Sequence, residues 1–120
     1  MTITRIERDG SACAVVQGEE KVITNAQTAL ELLMCAREIA GTKNLVVPKH
    51  LIAEDFFILS TGLAGEVLQK LINYGGRIAI YGDFSRYTSK PLRDFMHESN
   101  KGSDVSFVGT EEEAITAMTR

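Results

Sequence analysis

The stretch Thr61–Tyr81, TGLAGEVLQKLINYGGRIAIY, decides the fold class. Leu63, Val67, Leu68, Leu71 and Ile72 recur at three- and four-residue spacing, which places them on one face of a helix from about Thr61 to Tyr74. Glu66 and Lys70 stand four apart on the other face, the spacing of an ion pair. Gly75 and Gly76 close the helix, and Arg77–Tyr81 follows as a strand. Ile78, Ala79 and Ile80 make that strand apolar on both faces. A strand of this kind is covered on both sides, as in a parallel sheet flanked by helices.

Upstream, Asn44–Val47 is a second short apolar strand, stopped by Pro48, which has no N–H for a ladder. Before it lies a helix from about Asn25 to Ala40, capped by Thr24 or Asn25 and ended by Gly41. Its expected apolar stripe is Leu30, Leu33, Met34 and Ile39. Ile3–Ile6 and Ala12–Gln17 are β-prone runs joined by the turn pair Asp9-Gly10 and read as a hairpin, with Val22 and Ile23 beside the second run. Leu51–Leu59 mixes both periodicities. It is read as a short turn or helix near Ala53–Glu54, then an extended segment near Phe56–Leu59.

Downstream, Gly82–Thr88 is a loop, and Ser89 caps a helix running to about Ser99 with Pro91 in its first turn. Leu92, Phe95 and Met96 face inward. Val105–Val108 is the last strand. Thr110 and Glu113 then form a T-x-x-E capping box for a short helix that buries Ala114, Ile115 and Met118. The order is β-β-α-β-(short element)-α-β-α-β-α. It predicts an α/β fold: one domain over residues 1–120, with a mostly parallel central sheet of about five strands, four main helices and an antiparallel first strand.

Composition narrows the function. Of 120 residues, 44% are apolar and 24% charged, enough for one core without staples. A net charge of −3 without basic runs argues against nucleic acid and anionic membrane as partners. No apolar run approaches the ~20 residues that span a bilayer, and the first ten residues lack a signal-peptide core, so a cytoplasmic protein is expected. Cys13 and Cys35 lack metal-ligand spacing and read as free, buried thiols. No metal, cofactor or catalytic set is expected.

The order of elements resembles the STAS fold, the domain of bacterial anti-sigma factor antagonists and of sulfate transporter tails. Ile58-Leu59-Ser60-Thr61-Gly62-Leu63 is similar to the strand-to-helix junction of that family, with Leu59 standing where the family carries aspartate. Arg77–Tyr81 after a Gly-Gly turn and Gly109–Ala114 are similar to its next strand and closing helix. The resemblance implies that Ser60 is a regulatory phosphorylation site. Over nearly its full length the chain also resembles a bacterial domain-of-unknown-function family. That likeness rests on Glu54-Asp55-Phe56-Phe57, Thr61–Glu66 and Tyr87-Thr88-Ser89-Lys90, and it implies a fold but no activity.

Three segments can carry chemistry. In the first, Glu54, Asp55, Ser60 and Thr61 place hydroxyls at a helix N-terminus, where a phosphate meets free N–H groups and the positive end of the dipole. The plain alternative is that Ser60 or Thr61 is only a cap. In the second, Asp83, Ser85, Arg86, Tyr87, Ser89, Lys90 and Arg93 follow the carboxyl end of a buried strand, the edge where open α/β sheets bind ligands. These residues suit an anion or nucleotide; the alternative is an ordered loop with Asp83 and Ser85 making the turn, Ser89 capping, and Phe84 and Tyr87 packed inward. In the third, His97 sits near a helix end, and His50 reads as a loop histidine.

The leading expectation is a non-enzymatic regulatory domain that binds a protein partner, kinase-like or a transcription regulator. Its surface combines Ser60 and Thr61 with the Asp83–Lys90 loop. A small-anion site at Asp83–Arg93 is the alternative. An enzyme using Asp83, Tyr87 or His97 as acid or base ranks third. A homodimer would cover an unpaired edge strand or a Phe56–Phe57 patch.

Overall fold

A computed structural model describes the whole chain, residues 1–120. Asp9, with φ at 53°, and Gly10 form the hairpin turn between β1 (Thr2–Arg8) and β2 (Ser11–Gln17), which pair antiparallel. From β2 onward each strand pairs in parallel with the next: β3 (Asn44–Pro48), β4 (Arg77–Tyr81) and β5 (Val105–Val108). The sheet therefore runs β1-β2-β3-β4-β5 in sequence order and is mixed, mostly parallel, as expected.

Four helices link and cover it: α1 (Ala26–Ala40), α2 (Leu63–Asn73), α3 (Lys90–Lys101) and α4 (Glu111–Met118). The strand residues alternate between two faces. Val16, Leu45, Val47, Ile78, Ile80 and Phe107 pack with Leu33, Leu68, Leu71, Leu92 and Met96, so α1, α2 and α3 share one face. Cys13, Val15, Val46 and Ala79 pack with Ala114, Ile115 and Met118 of α4 on the other. Ile78, Ala79 and Ile80 are all buried because β4 has helices on both sides.

The caps follow local chemistry. Asn25 and Thr28 exchange bonds: the Thr28 N–H donates to Asn25 Oδ1 at 2.8 Å, and the Asn25 N–H to Thr28 Oγ1 at 3.0 Å. Gly41 ends α1 at φ 66°, a left-handed conformation that glycine adopts without a Cβ penalty. Ser89 caps α3 through the Leu92 N–H at 3.4 Å. Thr110 caps α4 by accepting the Glu113 N–H, but the Glu113 carboxylate accepts from the Thr110 hydroxyl rather than from its backbone N–H, so the box is only half formed.

Several expectations are corrected. The buried stripe of α1 is Ala29, Leu32, Leu33, Ala36 and Ala40, while Ile39 is 64% exposed. Alanines supply three of these five positions, and at helical spacing Ile39 falls on the flank of the stripe, toward solvent. Ile72 on α2 is likewise 42% exposed. Glu66 and Lys70 do not pair; the i,i+4 ion pair of the molecule is Lys90–Asp94 at 2.6 Å, on α3. Phe56–Leu59 is not extended: 3₁₀ turns occupy Glu54–Phe57 and Leu59–Thr61. Phe56 and Phe57 are buried, so they form no surface patch to drive dimerisation. Cys13 is buried and Cys35 only half-buried; both are free. No helix is long and apolar enough to cross a membrane.

Candidate functional site

The site is built from chain that leaves the carboxyl ends of β3 and β4. These strands end level, with Pro48 opposite Tyr81. After β3 the chain makes the 3₁₀ turns Lys49–Leu51, Glu54–Phe57 and Leu59–Thr61 before α2 begins. After β4 it makes the loop 82–89 before α3.

An aromatic cluster joins the two connections. Phe57 stacks on Tyr87 with centroids 5.1 Å apart and 16° between planes, and it lies 6.0 Å from Phe84. Phe56 meets Phe57 edge-on at 4.9 Å, and Phe107 contacts Phe56, Phe84 and Phe95. All five phenylalanines of the chain thus form one cluster with Tyr87. Offset and edge-on pairs of this kind add roughly 0.5–1.5 kcal/mol each beyond area burial. A hydrogen bond completes the join: the Tyr87 hydroxyl donates to Glu54 Oε1 at 2.9 Å. Burial first, and then this bond to Glu54, push the Tyr87 phenol well above its ordinary value.

The first segment is divided by function. Thr61 is pinned: its hydroxyl lies 2.7 Å from the Asp55 carbonyl and 2.9 Å from the Ile58 carbonyl, and it accepts the Leu63 N–H at 3.2 Å. The capping role therefore falls to Thr61, because the N-cap position itself is Gly62, at φ 79°. Ser60, one residue earlier, is exposed and makes no hydrogen bond. Glu54 and Asp55 are both exposed and do not converge: Glu54 takes Tyr87, and Asp55 serves through its carbonyl.

The second segment is ordered but dispersed. The Ser85 N–H donates to Asp83 Oδ1 at 2.9 Å, forming the expected turn and holding the Asp83 carboxyl below its ordinary range. Ser89 is engaged as a cap and Lys90 by Asp94. Arg86 faces a groove of about 440 Å³ on the β3 side, with Lys21, Lys49, His50, Glu54, Tyr81 and Gly82. Ser85, Tyr87 and Arg93 face another, of about 480 Å³, beside His97 on α3. The structure thus brings Glu54 and Tyr87 together but separates Arg86 from Lys90 and Arg93.

The residues not singled out from the sequence are Lys21, Lys49 and Tyr81. Lys49 Nζ sits 4.7 Å from the centroid of the Tyr87 ring, a cation–π distance. His50, read as an ordinary loop histidine, bonds through Nε2 to the Gly18 carbonyl at 2.9 Å. The Tyr81 hydroxyl donates to Glu111 Oε2 at 3.0 Å, and burial together with that bond pushes its phenol up to about 12. One signal was available: Lys49-His50 follows directly on Pro48, at the carboxyl end of a buried strand.

No curated protein matches the chain. In overall shape it is similar to a crystal structure from Thermotoga maritima, provisionally described as an anti-sigma factor antagonist, at 13% identity and a TM-score of 0.46, covering 98% of this chain and 95% of that one. The model of the family described as a domain of unknown function (DUF4180) matches residues 8–118, and the chain belongs to that family.

Proposed function

We propose that this chain is a non-enzymatic regulatory domain that binds a protein partner through the surface shared by the Ser60–Thr61 turn and the Asp83–Lys90 loop. The observation that carries this reading is the contrast at one turn. Thr61 is tied by three hydrogen-bond contacts, while the neighbouring Ser60 hydroxyl is exposed and unengaged. A hydroxyl held out on a rigid turn is open to a modifying enzyme. Added phosphate there brings about −1.5 to −2 charges without breaking a native bond. The partner is then kinase-like or a transcription regulator, as the STAS resemblance implies.

The side chains expected for acid–base work support a binding role. Asp83 is held anionic by Ser85, and the Tyr87 phenol is held protonated by burial and Glu54, so neither is poised to exchange a proton near neutrality. His97 is exposed on α3. A homodimer would use β1. The other outer strand, β5, has its Phe107 N–H and carbonyl bonded to the Asn100 amide at 2.6 and 3.0 Å, which blocks strand addition there.

The test uses the purified chain as bait in host lysate, with Ser60→Asp beside wild type and partners read by mass spectrometry. A protein held by one form and released by the other is expected. Identical partner sets from two folded forms would sink the switch.

A further inference from the structure

We propose that the groove at the carboxyl ends of β3 and β4, walled by Lys21, Lys49, His50 and Arg86, binds a small phosphate-type anion. Three separate connections supply the cations: Lys21 comes from the β2–α1 connection, Lys49 from the turn after β3, and Arg86 from the loop after β4. The molecule has four ion pairs, and none of them uses Lys21, Lys49 or Arg86.

The cations stand on backbone that is already fixed. His50 ties the Lys21 connection down through the Gly18 carbonyl. The next residues are bonded too: the Val22 N–H donates to the Leu51 carbonyl at 2.7 Å, and the Ala53 N–H to the Ile23 carbonyl at 2.8 Å. Lys49 lies against Gly82, where φ is 152° and an added Cβ would come within 2.9 Å of Lys49 Cβ, so only glycine admits this approach. The Asp83–Ser85 turn and the Tyr87–Glu54 bond hold the Arg86 loop on both sides of the arginine. With the backbone fixed, binding orders only the side chains.

The charges facing the groove decide the ligand class. Lys21, Lys49 and Arg86 line it against one carboxylate, Glu54, while Asp83, turned to the Ser85 N–H, and Glu111, bonded to the Tyr81 hydroxyl, do not line it. Glu54 already accepts the Tyr87 hydroxyl and Asp83 the Ser85 N–H. The surplus is positive, and arginine with two lysines offers charge-assisted donors matched to phosphate oxygens. The Tyr87 ring beside the groove already carries Phe57 and Lys49, and Tyr81 on its wall is bonded through its hydroxyl to Glu111, so the groove is read by its charge. At about 440 Å³ it takes a phosphate or diphosphate group. The site does not depend on the partner reading, and either can fail alone.

The experiment is an NMR titration of the full chain with sodium pyrophosphate, at constant ionic strength. Saturable shifts are expected at the amides of residues 21, 49, 50, 82 and 86. Arg86→Gln and Lys49→Gln should each raise the half-saturation concentration roughly tenfold, the loss expected for one charge-assisted contact. Lys101→Gln, whose lysine is paired with Glu98 at the far end of α3, should titrate as wild type. Spectra of the free variants establish that each is folded. No saturable shift in wild type, shifts centred elsewhere, or equal weakening in all three variants would overturn the site.

Discussion

Ser60 and Thr61 are adjacent hydroxyls with opposite circumstances. Thr61 donates toward carbonyls of the preceding turn and accepts the first free N–H of α2, so it holds the turn and the helix start together. Removing that hydroxyl leaves backbone groups without a partner, at about 1 kcal/mol. Thr61→Val should therefore lower unfolding stability in urea by about that amount. Ser60→Ala, which removes no bond, should stay within about 0.5 kcal/mol of wild type. Equal effects of the two would show that the turn is not held by Thr61. Sequence alone assigned both residues to a helix start without separating them, because the separation depends on Gly62 taking the N-cap position in a left-handed conformation. Lys21 and Lys49 were missed for a related reason. A lone lysine has no pattern, and only the level ends of β3 and β4 bring these two to one groove.

The element that matters most is the connection between β3 and α2. Its apolar residues fit neither a two-residue nor a 3.6-residue period, and the structure resolves them as successive 3₁₀ turns. Phe57 is buried there because the loop after β4 lays Phe84 and Tyr87 over it, and Phe56 packs on Phe57 and Phe107. That contact spans about thirty residues of chain, so no local signal announces it. The strands and helices on either side were legible. β4 is apolar on every residue between its ends, and α2 repeats its apolar residues at helical spacing. The α1 stripe was misread where alanines, rather than larger residues, make the contact. Phe57 is the keystone of the join. Phe57→Ala should cost about 3–5 kcal/mol in chemical denaturation and loosen the Asp83–Lys90 loop, read as faster amide exchange there. A loss under about 1 kcal/mol would mean that the aromatic cluster does not hold the two connections together.

Over the whole molecule, the phenol–carboxylate bonds give stability a definite alkaline limit. Tyr81, at the end of β4, donates to Glu111 at the start of α4 and so couples the sheet to the helix on its far face. Its pKa is raised to about 12 from the ordinary phenol value of 10.0. A raised folded value means that this contribution is fully present below pH 10 and is lost as pH climbs from there toward 12. The buried Cys13 thiol, also raised, acts in the same direction from a lower starting pH. The denaturation midpoint should fall across this window, and Tyr81→Phe should flatten the part of the fall above pH 10. A slope unchanged in Tyr81→Phe would remove the Tyr81–Glu111 bond from the account.

The same scale carries the central claim, that chain after β3 and chain after β4 form one recognition surface. Hydrogen–deuterium exchange of the chain, alone and with the protein captured by the Ser60 comparison, reads that surface directly. The account predicts partner-dependent protection in residues 54–61 and in residues 83–90 together, with β1 and α4 unchanged. Protection confined to β1 or α4, with both connections exchanging as in the free chain, would contradict it.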